Sequence, residues 1–267
     1  MLHLLRDKLG LEAAVLEAAS GVGGVWYWNR YPGARCDIAS HDYSYSFSKE
    51  LQQEWNWPEK FPAQPDILKY LEHVADRFDL TRSIQFDTRV EHAIFDESDH
   101  RWIVTTEDGQ CYSAKYFIPA VGVLSVGNIP KFKGRESFKG ESYFTGRWPK
   151  DGVDFTGKRV GIIGTGASGM QAIPVIAETA GHLTVFQLVA DYAVPLQNEP
   201  MTEEEDQKVK ASYDQRRKDA RGSFVGTILH DPRPSAKADT PEDRLARYEE
   251  CYKAGSFNVW VGSYVDL

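Results

Sequence analysis

The sequence predicts an α/β protein built from dinucleotide-binding, Rossmann-like units with an antiparallel β-meander insertion. Three observations carry this. Residues 158–187 run as strand, glycine turn, helix and strand; a short apolar stretch at residues 11–16 ends in Glu17; and four strand-like runs fall between residues 90 and 120.

The glycine turn is the strongest of the three. Lys158-Arg-Val-Gly-Ile-Ile163 reads as a buried strand, Gly164-Thr165-Gly166-Ala167-Ser168-Gly169 as the turn, Met170 to Glu178 as the helix and His182 to Gln187 as a second strand. The whole is a βαβ unit of about 30 residues, the size dinucleotide binding requires. Gly164 permits the sharp turn, Gly166 lets the backbone approach a pyrophosphate, and Gly169 lets helix and strand pack closely. The helix N-terminus adds amide donors and the positive end of its dipole. At the end of the second strand, Phe186-Gln187-Leu188 stands where an NAD site would place an acid, and no Lys or Arg occurs between Gln187 and Lys208 to meet the 2′-phosphate of NADP. Neither dinucleotide is strongly specified locally. Glu17 ends its strand where the same rule places the ribose-binding acid of a first such domain.

The remaining elements follow in order. Leu2, Leu4, Leu5 and Leu9 have helical spacing. Residues 20–38, rich in glycine and aromatics, read as an irregular functional loop, and Tyr43-Ser-Tyr45-Ser-Phe47 alternates like a short strand. Pro65 opens a helix whose apolar face is Ile67, Leu68, Leu71, Val74, Ala75 and Phe78. The meander comprises residues 90–95, 102–106, 110–114 and 116–120, with Asp108-Gly109 as a tight hairpin turn. Residues 122–157, full of Gly, Pro and Lys, suit a domain connection. A charged helix is expected at residues 202–220, its face solvated, and another near residues 243–254.

Composition narrows the function. The 267 residues are 42% hydrophobic and 26% charged with net charge −8, and the charge is not gathered into blocks, which argues against a nucleic-acid partner or a polybasic membrane anchor and for a small-molecule partner. Three widely spaced cysteines, Cys36, Cys111 and Cys251, imply neither a disulfide framework nor structural zinc, and fit a reducing, cytoplasmic setting. The seven histidines show no metal-ligand spacing, so no metal is assigned, and Ser168 lacks a nucleophile-elbow context.

Gly23-Gly24-Val25-Trp26, Asn29-Arg-Tyr31-Pro32-Gly33, Arg35 and Asp37 resemble the flavin-side loop of Baeyer–Villiger monooxygenases. Phe138-x-Gly140-x-x-x-Phe144-x-x-x-Trp148-Pro149 matches that family's fingerprint except at Phe144, where the family has His. The resemblance runs over essentially the whole chain. It implies a partial two-dinucleotide-binding-domain flavoprotein fold, with residues 1–147 belonging to an FAD-binding domain and residues 148–267 to an NADP-binding domain. On this reading the chain is a central piece of the enzyme, with the first glycine turn and a catalytic arginine lying outside it.

The resemblance further implies FAD and NADP(H) as cofactors and a small-molecule ketone and O2 as substrates. In that family a nicotinamide hydride reduces the flavin, and one oxygen of O2 is inserted beside a ketone carbonyl to give an ester or lactone. Glu17 would hold the adenosine ribose of FAD, while Gly23, Gly24 and Trp26 would line the flavin. Tyr31, Pro32, Gly33 and Arg35 complete the loop, and Asp37, the candidate catalytic residue, would hold the arginine by charge-assisted hydrogen bonds. Two departures carry consequences: Phe144 removes an imidazole from the fingerprint, and Leu188 replaces the usual arginine clamp on the NADP phosphate, predicting weak NADPH affinity. A catalytically inactive nucleotide-binding remnant, and a relative oxidising nitrogen or sulfur, remain open alternatives. Oligomeric state is not indicated.

Overall fold

The computed structural model describes residues 1–266. In chain order its elements are a π-helical turn at Leu4–Lys8, β1 (Val15–Leu16), α1 (Val25–Trp28), α2 (Lys49–Glu54), α3 (Gln64–Arg77) and β2 (Ile84–Gln85). The meander strands β3 (Val90–Asp96), β4 (Arg101–Thr106) and β5 (Cys111–Ala114) follow. Then come β6 (Arg159–Ile163), α4 (Ala167–Ala177), β7 (His182–Phe186), α5 (Glu203–Ala211), α6 (Tyr213–Gly222), α7 (Pro241–Ala254) and α8 (Asn258–Val261). The chain forms two compact units, each assembled from separated segments. Met1–Arg30 and Ile67–Gly152 make the first; Tyr31–Asp66 and the chain from Val153 onward make the second.

In the first unit β1 pairs in parallel with β2, Val15 opposite Ile84 and Leu16 opposite Gln85, so the expected strand of residues 11–16 condenses to its last two positions. α3 forms because Pro65, near its start, needs no amide donor and because Ile67, Tyr70, Val74 and Ala75 recur on one face. All four are nearly inaccessible. The meander is antiparallel in the order β3-β4-β5. Its tight turn closes with the Gly109 amide donating to the Thr106 carbonyl at 2.8 Å and the Thr106 amide to the Gln110 carbonyl at 3.0 Å. Gly109 supplies the left-handed backbone, φ +82°, that the turn requires.

The meander has three strands rather than four. Residues 116–120 form no strand and lie outside the sheet: Phe117 stacks on Trp102 with centroids 5.5 Å apart, while Tyr116 and Val121 are exposed. The apolar content that suggests a strand serves side-chain packing at one position and exposure at its neighbours.

In the second unit β6 and β7 pair in parallel from Arg159 opposite His182 to Ile163 opposite Phe186, with α4 as the crossover, giving the predicted βαβ unit. Two sequence expectations change here. Residues 43–47 form a turn and bends, not a strand, and the chain here is held by a side chain instead of a neighbouring strand: Arg217 donates to the carbonyl of Ser44 at 2.9 Å and to that of Asp42, just before the segment, at 3.0 Å. The charged stretch 202–220 is two helices, not one, broken where the Ser212 hydroxyl bonds back to the Val209 carbonyl at 2.9 Å. Tyr213, at the break, is buried against His41.

Nor is that stretch simply solvated. Asp206 and Lys210 are 5% and 4% exposed, and the Asp206 carboxylate bridges the Lys210 ammonium at 2.7 Å and the His41 Nε2 at 2.9 Å. Lys210 also meets the side-chain oxygen of Asn56. Arg216 pairs with Asp42 at 2.9 Å, and Thr227 donates to the other Asp42 oxygen at 2.9 Å. Burying one charge singly would be costly; paired in these two groups the charges hold residues 41–56 against α5 and α6, although Arg216 Nε is left buried without a hydrogen-bond partner.

Candidate functional site

In the second unit the glycine turn joins β6 to α4. Gly164 takes φ +102°, and its amide donates to the Phe186 carbonyl at 2.9 Å, tying the turn to the end of β7. Gly166 sits at the N-cap of α4. A side chain at Gly169 would place its Cβ 2.3 Å from the Gly164 carbonyl oxygen, so only glycine lets helix and strand approach this closely. The Gln187 side chain, just beyond β7, donates to the Thr165 hydroxyl at 3.1 Å. Thus the residue just beyond β7 and the glycine turn are joined by a side-chain hydrogen bond. Leu188 is 97% exposed.

The loop carrying Tyr31, Pro32, Gly33, Arg35 and Asp37 lies in the same unit and rests directly on α4. Gly33, at φ +80°, faces the helix backbone, and a Cβ there would fall 2.2 Å from the Gln171 carbonyl oxygen. The Gln171 side chain does most of the joining. Its oxygen accepts from the Tyr31 hydroxyl at 2.8 Å and the Arg35 amide at 3.3 Å, and its nitrogen donates to the Arg35 carbonyl at 3.2 Å and the Asp37 carboxylate at 3.4 Å.

The far side of the loop is held by residues 59–63. Arg35 bonds the Glu59 carboxylate at 3.0 Å and the Phe61 carbonyl at 3.2 Å and bridges Ala63 in antiparallel fashion. The Asp37 carbonyl accepts from the Ser256 hydroxyl at 2.5 Å, so backbone and side chain of Asp37 are anchored separately.

These surroundings set the local ionisation. Burial pushes the Asp37 carboxyl upward, against the opposing pull of the Gln171 donor and the Arg35 charge. Burial also raises the Tyr31 phenol, with the Asp37 charge adding to the effect. The Cys36 thiol is pushed up to about 11, mainly by burial, which keeps it an inert structural thiol.

The other predicted residues belong to the first unit. Glu17 continues the β1–β2 pairing, its amide donating to Gln85 at 2.9 Å and its carbonyl accepting from Thr88 at 2.8 Å. One carboxylate oxygen accepts the Ala19 amide at 2.8 Å. Gly23 and Gly24 take φ +123° and +54°, and Gly24 caps α1, which carries Trp26.

The fingerprint segment is anchored near α1 by cations over its rings. The Arg147 guanidinium stands 4.5 Å from the Trp28 centroid, and the Lys150 ammonium 5.2 Å from that of Tyr27 and 3.3 Å from the Ser20 hydroxyl. Trp148, followed by Pro149, packs on Tyr143. The Phe138 ring covers Gly140, where a Cβ would lie 2.6 Å from it. Phe144 lies against Gly127 and Gly146, where Cβ atoms would come within 2.4 Å and 2.9 Å of its ring. The benzyl group therefore occupies a glycine-lined slot at the fingerprint's histidine position.

Gln171 is the site residue that the sequence reading missed. A signal existed: among Met170, Ala172, Ile173, Pro174, Val175 and Ile176 it is the lone polar side chain. Glu59 and Ser256 gave no comparable signal, since their roles depend on tertiary contact.

A family model described as flavin-binding monooxygenase-like matches residues 6–192. Cyclohexanone 1,2-monooxygenase of an Acinetobacter species is 45% identical over 98% of this chain and 48% of that protein. Phenazine N-monooxygenase PhzNO1 of Lysobacter antibioticus is 41% identical over 100% of the chain and 49% of that protein. Among solved structures, an oxidized steroid monooxygenase bound to NADP superposes with a TM-score of 0.93 at 54% identity, covering 99% of this chain and 50% of that one. The chain spans about half the length of the relatives it matches. With a dinucleotide turn, its helix and the Tyr-Pro-Gly loop joined in one unit, and with this match over most of its length, the chain belongs to the flavin-binding monooxygenase-like family.

Proposed function

We propose that this chain supplies cofactor-binding elements of a Baeyer–Villiger-type monooxygenase, which uses NADPH, FAD and O2 to insert one oxygen beside the carbonyl of a small ketone. The observation that carries the reading is the Gln171-centred junction, in which the helix behind the dinucleotide turn holds the loop bearing Asp37. The turn fits a nucleotide: the space a Cβ at Gly169 would need is already filled, a Cβ at Gly166 would meet nothing within 4 Å, and α4 is eleven residues long, with first-turn amides that no intrahelical carbonyl can satisfy.

Gly164, Thr165, Gly166, Ala167, Ser168 and Gly169 would hold the NADP(H) pyrophosphate, with Gln187 on the ribose side. Bound nicotinamide and flavin supply hydride transfer and oxygen activation. The protein's part is to bind, orient and exclude water. Glu17 would take the adenosine ribose of FAD, and Gly23, Gly24 and Trp26 the flavin edge. Asp37, already partly desolvated, would accept charge-assisted hydrogen bonds from a cation brought to it. We assign residues 1–147 to the FAD-binding part and 148–267 to the NADP-binding part, in a cytoplasmic enzyme. No described helix is long and apolar enough to cross a membrane.

Calorimetric titration of the chain with NADPH should show saturable binding that Gly166→Val, whose Cβ would meet nothing within 4 Å, abolishes without unfolding the protein. Equal binding by the variant would refute the placement. The similarity to a phenazine N-monooxygenase supports a second reading, oxidation at nitrogen. Product analysis of the enzyme containing this chain separates the two: a lactone from a cyclic ketone supports the first, and an N-oxide from a heteroaromatic amine, with the ketone untouched, the second.

A further inference from the structure

The Gln171 amide is fully engaged, and each of its contacts goes to one loop. With Arg35 it forms a two-point pairing, accepting from the amide at 3.3 Å and donating to the carbonyl at 3.2 Å, much as a strand backbone would. The second lone pair accepts Tyr31 and the second N–H reaches Asp37. We propose that Gln171 is a positioning residue for Asp37, its oxygen and one N–H fixing the loop backbone at Arg35 and its other N–H orienting the carboxylate. The inference rests on the reading of Asp37 as the functional carboxylate.

The division of labour follows from geometry. The Asp37 backbone is held independently by Ser256, so loss of Gln171 would not release the residue altogether. It would remove the helix-borne donor from a half-buried carboxylate. The charged and titratable neighbours are few: Arg35, whose guanidinium is shared with Glu59, and the weakly acidic Cys36 and Tyr31. Burial raises the Asp37 carboxyl, and the Gln171 amide at 3.4 Å and the Arg35 charge oppose it, so loss of the amide removes one of the two groups favouring the charged form.

Two substitutions take the two halves apart. Gln171→Glu keeps an acceptor for Tyr31 and the Arg35 amide but removes the donors to the Arg35 carbonyl and to Asp37, placing a second carboxylate beside Asp37. Gln171→Leu removes both functions at similar volume. Carbon-13 NMR of carboxyl-labelled aspartate in the free chain, with Asp37 assigned by its loss in Asp37→Asn, reads the ionisation, and hydrogen exchange of the Arg35 amide reads the loop.

In Gln171→Glu, Asp37 should titrate about one pH unit or more above its wild-type value, since a like charge replaces a donor, while Arg35 exchange stays within about threefold of wild type. In Gln171→Leu both should change, with exchange accelerated about tenfold. An Asp37 titration unchanged in Gln171→Glu overturns the proposal, even if Gln171→Leu fails to fold. These measurements need no cofactor. Absence of NADPH binding in the wild type would therefore sink the proposed function and leave this inference to stand or fall on its own data.

Discussion

Gly33→Ala puts the closest contact in the site to a quantitative test. Two separable effects oppose a side chain there. The backbone at φ +80° lies in the left-handed region, which costs a non-glycine residue about 1–2 kcal/mol. The added Cβ would stand 2.2 Å from the Gln171 carbonyl oxygen, where ordinary contact begins at 3.4 Å. Loop and helix must therefore part by about an ångström. An overpacked contact of this kind costs about 1–3 kcal/mol, and stretching the Gln171 hydrogen bonds adds about 1 kcal/mol.

Gly157→Ala is the control, because it lies in the same unit at φ +70° with nothing within 4 Å of its Cβ position. Urea denaturation should show Gly157→Ala losing about 1–2 kcal/mol and Gly33→Ala about 3–6 kcal/mol. At about 2–4 °C per kcal/mol, the extra loss should lower the melting temperature by several degrees more. If the two variants lost the same stability within about 0.5 kcal/mol, the loop would not be seated on α4 as described.

Asp206→Ala should cost about 3–5 kcal/mol by denaturation, because it strands the buried Lys210 and His41; a loss below about 1 kcal/mol would mean that the network is solvated. His41 is held below its usual value of 6.5, chiefly by burial, with Arg216 adding to the effect and Asp206 and Asp42 opposing it. The unfolded chain then binds the extra proton first, so stability is full above about pH 6.5 and declines as pH falls below it. His41→Gln should flatten that part of the stability profile, and an unaltered slope would assign it elsewhere. Leu188→Arg should raise NADPH affinity about tenfold over wild type with little effect on NADH, measured by calorimetry; no change in that ratio would refute Leu188 as the missing clamp position.

The sequence made the βαβ unit legible because its glycines, its apolar strands and its helix each follow from local geometry. Pro65 and the period of α3 were legible for the same reason. The errors share a physical cause: the decisive partner was distant in sequence. Tyr43-Ser-Tyr45-Ser-Phe47 alternates like a strand, but its neighbouring backbone is claimed by Arg217. Asp206 and Lys210 are an ordinary i, i+4 surface pair until His41 and Asn56 bury them. Gln171 lies one helical turn beyond the glycine motif, and its partners are in residues 31–37, so nothing local beyond its polarity marks its role.

The hold of Arg217 on residues 42–44 bears on how this protein can change. A β-strand accepts almost any neighbour that offers a backbone, whereas a guanidinium serves carbonyls only at one spacing. The shape of residues 41–47 is thus specified from α6, and substitutions in the two segments should be tolerated as matched pairs and resisted singly.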